Sequence, residues 1–253
     1  VKTWQAEEKI TIRYFYQHNQ GKHIAFNKGV VEAKGELFLT FDSDDACVSN
    51  ALERFSFHWQ SISEVDRKVF SGITCLCMNK EGEIVGSRFP APVIDEYPIQ
   101  FVNNHKIKGE KWGFHLTNIL RQYPYPSFHG ERFVPESLVW NRIGCKYKLR
   151  FIDEPLRIYE HLDGGLTSSI VPLRAKNPSG TRLYCLEYMD LNIPTWQKLR
   201  AVINYFRFSA HAKISLLKAQ KEIKNFRISI LFIPAGYLYY LVDCRKIKKL
   251  SRV

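Results

Sequence analysis

An acidic cluster, Asp42-Ser43-Asp44-Asp45, directly follows a short apolar run at residues 37–41. The run has the length and composition of a buried strand. It therefore places the carboxylates at a strand's carboxyl end, where open α/β sheets bind ligands. Carboxylates two residues apart can converge on Mg²⁺ or Mn²⁺, which takes its remaining ligands from substrate phosphates and water. The cluster predicts either a metal-diphosphate site or a solvated acidic turn that caps the next helix.

The composition favours a globular protein with an anionic partner. The 253 residues are 45% apolar and 14% aromatic, enough for one large α/β domain or one domain with an extension. The net charge of +12 suggests nucleic acid, acidic lipid or a phosphorylated ligand. Only this charge favours a nucleic-acid-binding protein, because the sequence has no zinc-finger or RNA-binding aromatic signature. We therefore expect no nucleic-acid partner.

The six cysteines include no Cys-x-x-Cys pair, which argues against a zinc knuckle or a redox motif. Cys75 and Cys77 alternate within an apolar strand-like segment, so they should share one buried face. The sequence shows no signal peptide. We expect reduced thiols and a cytoplasmic protein.

The local patterns predict alternating strands and helices, which is typical of a parallel sheet. The first three predicted elements are a strand at 10–16, a helix at 22–34 ended by Gly35, and a strand at 36–41. The later predicted elements are a helix at 50–60 capped by Asn50 and Glu53, a hairpin of 69–78 with 83–86, a loop at 90–105, a helix at 112–122, a helix from Pro135 to Ile143, a strand at 149–159, and helices from 178 onward.

Residues 228–242 form an apolar stretch that Pro234 and Gly236 interrupt. The stretch is shorter than the roughly 20 apolar residues of a membrane span. Basic residues follow it, so it could lie in a membrane interface. The alternative is a buried terminal helix with a solvated basic end.

Three segments occur in order within 25 residues: Gly21 to Gly29, Ala33 to Glu36, and Phe41 to Asp45. Together they resemble the family-2 glycosyltransferases of the GT-A fold, in which a segment rich in Gly, Lys and Asn precedes the strand that delivers an Asp-x-Asp motif. Residues 130–140 are similar to the acceptor-side segment of bacterial capsule and cell-wall members, and residues 159–168 also resemble those members. The resemblance covers roughly residues 1–170.

The resemblance implies an α/β protein with a GT-A (Rossmann-like) mixed sheet flanked by helices. Residues 1–170 would form the glycosyltransferase domain, and residues 171–253 a helical, basic C-terminal extension. Family members usually begin with a strand-helix-strand unit that holds the nucleotide base. That unit is absent from this sequence, so we expect an N-terminally truncated domain.

The resemblance also implies roles for individual residues. Asp42 and Asp44 would bind Mg²⁺ or Mn²⁺, with Asp42 nearer the sugar or ribose of the donor, and Asp45 would lie behind them. Glu136 would be the general base, with Glu131 as its rival. Lys22 and Asn27 would contact the donor, and His161 would be a further metal ligand.

Each of these residues also has a plainer interpretation. Glu136 could be a glutamate that the helix dipole favours in a first turn. Lys22 and Asn27 could be ordinary helix-surface residues. His161 could be structural, and Trp140 could belong to the core rather than stack on an acceptor sugar.

Two functions follow from the sequence. The first is an inverting, metal-dependent glycosyltransferase that moves a sugar from a nucleotide diphosphate sugar, such as a UDP-sugar, to a surface-polysaccharide or lipid-linked glycan. Its basic C-terminal region would then contact the inner face of the cell membrane. The second is an inactive fragment that acts as a binding or membrane-associated module.

Overall fold

A six-stranded mixed sheet forms the centre of the computed structural model, which describes residues 1–7, 9–159, 170–223 and 229–250. The strands follow one another in the order β1-β5-β3-β6-β2, and β4 also pairs with β6. β3 and β6 are parallel, and the other pairs are antiparallel. The strands are β1 (Leu37–Leu39), β2 (Ala46–Cys47), β3 (Phe70–Met78), β4 (Val93–Glu96), β5 (Lys111–Leu116) and β6 (Lys148–Ile158).

The central strand β3 is buried on both faces. Ile73, Cys75 and Cys77 belong to the core on one face, and Leu76 belongs to the core on the other. Alternate residues of a strand point to opposite faces, so both faces need apolar side chains. The predicted burial of Cys75 and Cys77 on a shared face is confirmed.

Helices flank the sheet and continue beyond it into a helical C-terminal region. They are α1 (Lys2–Ala6), α2 (Lys22–Glu32), α3 (Ala51–Gln60), α4 (Glu64–Arg67), α5 (Pro98–His105), α6 (Thr117–Leu120), α7 (Ser137–Gly144), α8 (Ile170–Lys176), α9 (Pro178–Met189), α10 (Thr195–His211), α11 (Leu216–Glu222) and α12 (Ile233–Leu250). A short 3₁₀ turn, Ile230–Phe232, leads into α12.

Aromatic packing holds α2 and α7 beside β1. The Phe26 ring of α2 makes edge contacts with Phe38 of β1, Trp140 of α7 and Tyr125 of the preceding loop. Edge-to-face pairs of this kind are worth about 1 kcal/mol each beyond the area that they bury. The cluster therefore fixes the first turns of α2 and α7 relative to the end of β1.

The C-terminal helices have a core of their own. Tyr205 and Phe206 of α10 are fully buried against Cys185 of α9 and Ala219 of α11. None of the helices in the described part of the chain combines the length and apolarity that a membrane crossing needs.

The predicted strand at 10–16 is wrong. These residues are irregular, and most of them are exposed. The residues have strand-like composition, but β propensity expresses itself only where a neighbouring strand supplies a ladder. The strand nearest in sequence is β1, and it pairs with β5 rather than with residues 10–16. The predicted strand-helix-strand unit at 10–41 is therefore wrong as well.

Two later predictions also fail. Residues 90–105, predicted as loop, contain β4, which pairs with β6, and α5, which begins at Pro98. Residues 112–122, predicted as helix, begin as β5 and only then form the short α6. Trp112 and Phe114 alternate into the core below α3, which is the period of a strand.

Other predicted elements are confirmed with shifted ends. α2 ends two residues before the predicted 34, and β6 covers nearly all of 149–159. α3 lies where it is expected, but Asn50 makes no side-chain capping bond. The hairpin after β3 consists of a turn at 79–82 and a single bridge between Met78 and Ile84.

Candidate functional site

Three chain segments meet at the carboxyl end of β1. The first turn of α2 supplies Lys22, the turn after β1 supplies Asp42, and the residue just before α7 is Glu136. The acidic turn is closed by a backbone hydrogen bond from the Asp45 N–H to the Asp42 carbonyl, 3.2 Å. A helical turn precedes α7, because the Leu138 N–H donates to the Pro135 carbonyl.

Gly21 allows two of these segments to approach each other. Its φ of 95° lies in a region that side chains rarely adopt, and a Cβ atom there would lie 2.0 Å from the Arg132 carbonyl oxygen. Only glycine tolerates both conditions. The residue before Lys22 is therefore pressed against the loop that leads to Glu136.

Lys22 joins the two acidic residues. Its Nζ donates to Asp42 Oδ2 at 2.8 Å and lies 3.2 Å from Glu136 Oε1. The side chains of Lys22, Asp42 and Glu136, called the site cluster from here on, are 46%, 38% and 56% exposed. One ammonium thus holds two carboxylates towards the same open space.

The pKa of Lys22 is raised above its ordinary value. Burial alone would lower it, but Glu136 and the hydrogen bond to Asp42 outweigh that effect. The ammonium therefore remains charged at any physiological pH, and the site keeps a fixed positive charge between two negative ones.

Arg157 adds a second cation beneath the acidic turn. It lies on β6, forms an ion pair with Asp45, and lies 3.8 Å from Asp42 Oδ2. Burial lowers the pKa of this guanidinium, but the Asp45 contacts raise it more, so the net direction is upward. No sequence motif marks Arg157. It reaches the turn because β6 pairs with β2, which follows that turn directly.

Asp44 differs from the other two acidic residues of the turn, Asp42 and Asp45. Its side chain is exposed and makes no hydrogen bond or ion pair with any residue in the described part of the chain. Among those same residues, no group of three or more His, Cys, Asp or Glu side chains is arranged to hold a metal ion. Two carboxylates that leave most ligand positions to substrate phosphates and water fit the usual binding of Mg²⁺. Metal binding by Asp42 and Asp44 stays a prediction, and Asp42 Oδ2 already accepts a hydrogen bond from Lys22.

Two other predicted residues make structural contacts. Asn27 donates from Nδ2 to the Tyr125 carbonyl and accepts from the Tyr125 N–H, at 2.8 and 2.9 Å. Both Glu131 carboxylate oxygens accept from the Ser179 N–H at 3.0 Å, at the first turn of α9. Glu131 is thus engaged as a helix cap, whereas Glu136 points to the open side. Whether Asn27 also contacts a donor stays a prediction.

Trp140 packs within the protein. It stacks on His115 with a centroid distance of 4.7 Å and contacts Phe26 and Tyr125. Burial lowers the pKa of His115 to about 4, so this imidazole is neutral. His161, predicted as a metal ligand, lies outside the described residues.

A polar cavity of about 330 Å³ opens between the start of α2 and the loop before α7. Its lining comes from the segment before α2, the first turn of α2 and the loop before α7: Asn19, Gln20, Ile24, Ser127, Phe128, His129, Gly130, Glu131 and Arg132. The same two segments meet at Gly21, the residue before Lys22, but none of the site-cluster residues lines the cavity.

Comparison with known proteins adds a family and a fold. The model of glycosyl transferase family 2 matches residues 1–65. No curated protein matches the chain. The structure is similar to that of S. aureus TarS 1-349, with a TM-score of 0.57 and 12% identity over 100% of this chain and 79% of that one. The structure of TarS 1-349 in complex with UDP-GlcNAc gives the same TM-score and coverage at 13% identity.

The matched residues 1–65 include Lys22, Asn27, Asp42 and Asp44. The structural similarity spans the whole chain and includes the mixed sheet, its flanking helices and the helical C-terminal region. The family model therefore confirms, over residues 1–65, the resemblance to family-2 glycosyltransferases predicted from the sequence. The structural similarity confirms the predicted fold class, a mixed sheet flanked by helices with a helical C-terminal region.

Proposed function

We propose that this chain transfers a sugar from a nucleotide diphosphate sugar to a glycan acceptor, with inversion at the anomeric carbon. The observation that carries the proposal is the site cluster. Lys22 and Asp42 lie in the segment that matches the family model, and Glu136 lies far outside it. Nevertheless, one ammonium contacts both carboxylates.

The donor is a UDP-hexose or UDP-N-acetylhexosamine in this proposal. Its diphosphate lies over the acidic turn, where Lys22 and Arg157 supply positive charge. Cationic groups fixed in place stabilise the negative charge that develops on a leaving diphosphate, and they need no reorganisation during the reaction. The UDP-GlcNAc complex of TarS supports a uridine donor for a protein of the same fold.

Glu136 is the general base of this proposal. The acceptor hydroxyl loses its proton to the Glu136 carboxylate, its oxygen bonds to the anomeric carbon, and the bond to the diphosphate oxygen breaks. A base on the face opposite the leaving group gives inversion, as in inverting glycoside hydrolysis. The exposure of Glu136 supports this role, since an acceptor can reach it from solvent.

Asp44 and Asp42 would hold Mg²⁺ or Mn²⁺ as an Asp-x-Asp pair. A bound cation supplies further positive charge to the donor's diphosphate. The carboxylate of Asp44 supports this assignment, because it is exposed and has no partner among the residues that the structure describes, so it is available for a ligand.

The acceptor is a surface-polysaccharide or lipid-linked glycan in this proposal, and the chain works at the inner face of the cell membrane. The polar cavity between the start of α2 and residues 127–132 is open to solvent. It offers the hydrogen-bonding groups that a sugar acceptor requires.

Calorimetric titration with UDP and UDP-sugars, with and without Mn²⁺, tests the proposal. We expect binding that Mn²⁺ strengthens and that Asp44→Asn weakens. Asp66→Asn removes an equal charge from a surface helix and should leave binding unchanged. Absence of binding under all conditions would contradict the proposal and favour a binding module without transferase activity.

A further inference from the structure

The terminal helix α12 has one face that is held firmly against the protein. A Cβ atom on Gly236 would lie 2.7 Å from the Phe206 Cβ, so the two helices α10 and α12 touch at this point. One turn later the Tyr240 ring makes an edge contact with His211 at 4.8 Å. The absence of a side chain at Gly236 thus determines which face of α12 turns inward.

A buried ion-pair cluster fixes the same face further along. Asp243 is 2% exposed and accepts two hydrogen bonds of 2.6 Å from Arg207, and His211 Nε2 lies 3.1 Å from its Oδ2. Arg207, His211 and Asp243 are called the buried ion-pair cluster from here on. Because α12 is anchored at Gly236 and at Asp243, it cannot rotate to hide its other face.

That other face carries an exposed apolar stripe that becomes basic. Pro234, Leu238, Leu241, Arg245 and Lys249 follow one another at spacings of three or four residues, so they share one side of the helix. This row is the outer stripe. Leu238 is 62% exposed and Leu241 is 52% exposed. Leu231, in the turn just before α12, is 75% exposed. Adjacent exposed leucines on one face mark an interaction surface.

The charge of the C-terminal region indicates what kind of partner binds the outer stripe. Residues 195–253 contain 13 basic residues and two acidic ones, and so contribute 11 of the chain's 12 net positive charges. The two acidic residues, Glu222 and Asp243, are held by Arg182 and Arg207. The positive charge is therefore concentrated in the C-terminal part of the sequence, which includes α12.

We propose that the outer stripe of α12 docks in the plane of an anionic lipid membrane, with Leu238 and Leu241 among the acyl chains and Arg245 and Lys249 at the headgroups. An amphipathic helix with leucines beside basic residues binds a membrane surface in this way. Anionic headgroups attract the basic residues. A second copy of the chain would instead bring two strongly positive surfaces together, which opposes association.

Membrane docking depends on the proposed function in one respect: its purpose would be to bring the site to a lipid-linked acceptor. The test therefore uses vesicles without any nucleotide sugar. The full chain is sedimented with vesicles of phosphatidylcholine alone, or of phosphatidylcholine with phosphatidylglycerol. We expect strong binding to the anionic vesicles, weak binding to the neutral ones, and a loss of binding as salt is added.

Two pairs of variants test the stripe itself. The double variant Leu238→Glu with Leu241→Glu should weaken binding about tenfold or more, because two leucines no longer enter the apolar layer. Its matched control, Leu52→Glu with Val65→Glu, changes two exposed apolar residues on α3 and α4. The control should bind as the unmodified chain does. Circular dichroism verifies that both variants keep their helices.

The basic end is tested in the same way. Arg245→Gln with Lys249→Gln should weaken binding to anionic vesicles about tenfold, since each basic residue near the surface contributes to the attraction. Lys34→Gln with Lys68→Gln removes the same charge elsewhere and should have no effect.

Several results would overturn the inference. The first is that the chain does not sediment with anionic vesicles. The second is that the stripe and control variants lose vesicle binding equally. The third is a concentration-dependent dimer in light scattering that the stripe variant abolishes. Retention on duplex DNA without vesicle binding would also overturn it and would favour a nucleic-acid partner. Failure of UDP-sugar binding with vesicle binding intact would count against the proposed transferase and leave the membrane surface standing.

Discussion

The chain holds two clusters of opposite charges that differ in how deeply they lie. The site cluster is 38% to 56% exposed, whereas the Asp243 and Arg207 side chains of the buried ion-pair cluster are 2% and 15% exposed. Exposed charges contribute little to stability because water screens them. Buried charges are costly to separate, since the remaining partner is left without a counter-charge. The comparison indicates that the second cluster holds two helices together, whereas the first contributes little to stability and can serve the chemistry that we propose.

The largest effect that we predict is on the chemistry of the site cluster. Glu136→Gln removes the proposed base and keeps the shape, so turnover of a UDP-sugar should fall about a thousandfold, or ~4 kcal/mol. The free energy of unfolding should change by less than about 0.5 kcal/mol. Nucleotide release and urea unfolding measure the two quantities. Glu64→Gln, an exposed acid on α4, is the control.

Breaking the buried ion-pair cluster should have the reverse outcome. Asp243→Ala leaves Arg207 and His211 without their carboxylate and should lower the free energy of unfolding by about 3 kcal/mol. Urea unfolding followed by circular dichroism measures the loss. Glu64→Ala should cost less than about 0.5 kcal/mol. Equal losses in the two variants would remove the distinction between exposed and buried clusters.

Lys22→Met sharpens the same distinction within the site. Loss of an exposed ion pair should cost at most about 1 kcal/mol of stability. Turnover should fall about a hundredfold, because a fixed cation no longer faces the leaving diphosphate. Lys34→Met serves as the control in both assays. A large loss of stability together with unchanged turnover would show that Lys22 is a structural residue.

A third cluster, intermediate in depth, predicts a smaller effect that depends on pH. Arg54 and His58 on α3 bind Glu154 on β6 at distances of 2.6 to 2.8 Å. The hydrogen bond from Arg54 is the main reason that the pKa of Glu154 falls from 4.5 to about 2. The folded pKa is depressed, so the stabilisation is present above pH 4.5 and is lost as the pH falls towards 2.

Glu154→Gln should therefore cost about 2 kcal/mol at neutral pH, a figure that allows for partial screening. The difference from the unmodified chain should shrink between pH 5 and pH 2. Thermal unfolding measured across that range tests this prediction. A difference that stays constant with pH would show that the Glu154 carboxylate is not preferentially stabilised in the fold.

The candidate site was largely predictable from the sequence because its residues belong to motifs. Lys22, Asp42 and Glu136 were each named, and the structure brings them together. Arg157 was missed, since its contact with Asp45 depends on the pairing of β6 with β2, which are far apart in the chain. A strand's partner is a tertiary property that local composition does not encode.

The fold shows the same limit. β4 forms because Val93–Glu96 pairs with β6, and no local pattern within residues 90–105 indicates that pairing. Residues 10–16 have strand composition, yet no ladder forms there. The helix predicted at 112–122 failed for a different reason. Trp112, Phe114 and Leu116 alternate at the period of a strand, and that signal was present in the sequence.

The decisive experiment on the proposed transferase site measures nucleotide release from a panel of UDP-sugars in the presence of Mn²⁺. Glu136→Gln and Asp44→Asn are the paired variants. We expect the unmodified chain to turn over at least one UDP-sugar. Both variants should remain folded, with turnover lowered about a hundredfold or more. Turnover that survives in both variants would contradict the assignment of the site. Absence of turnover and of nucleotide binding in the unmodified chain would contradict the transferase itself.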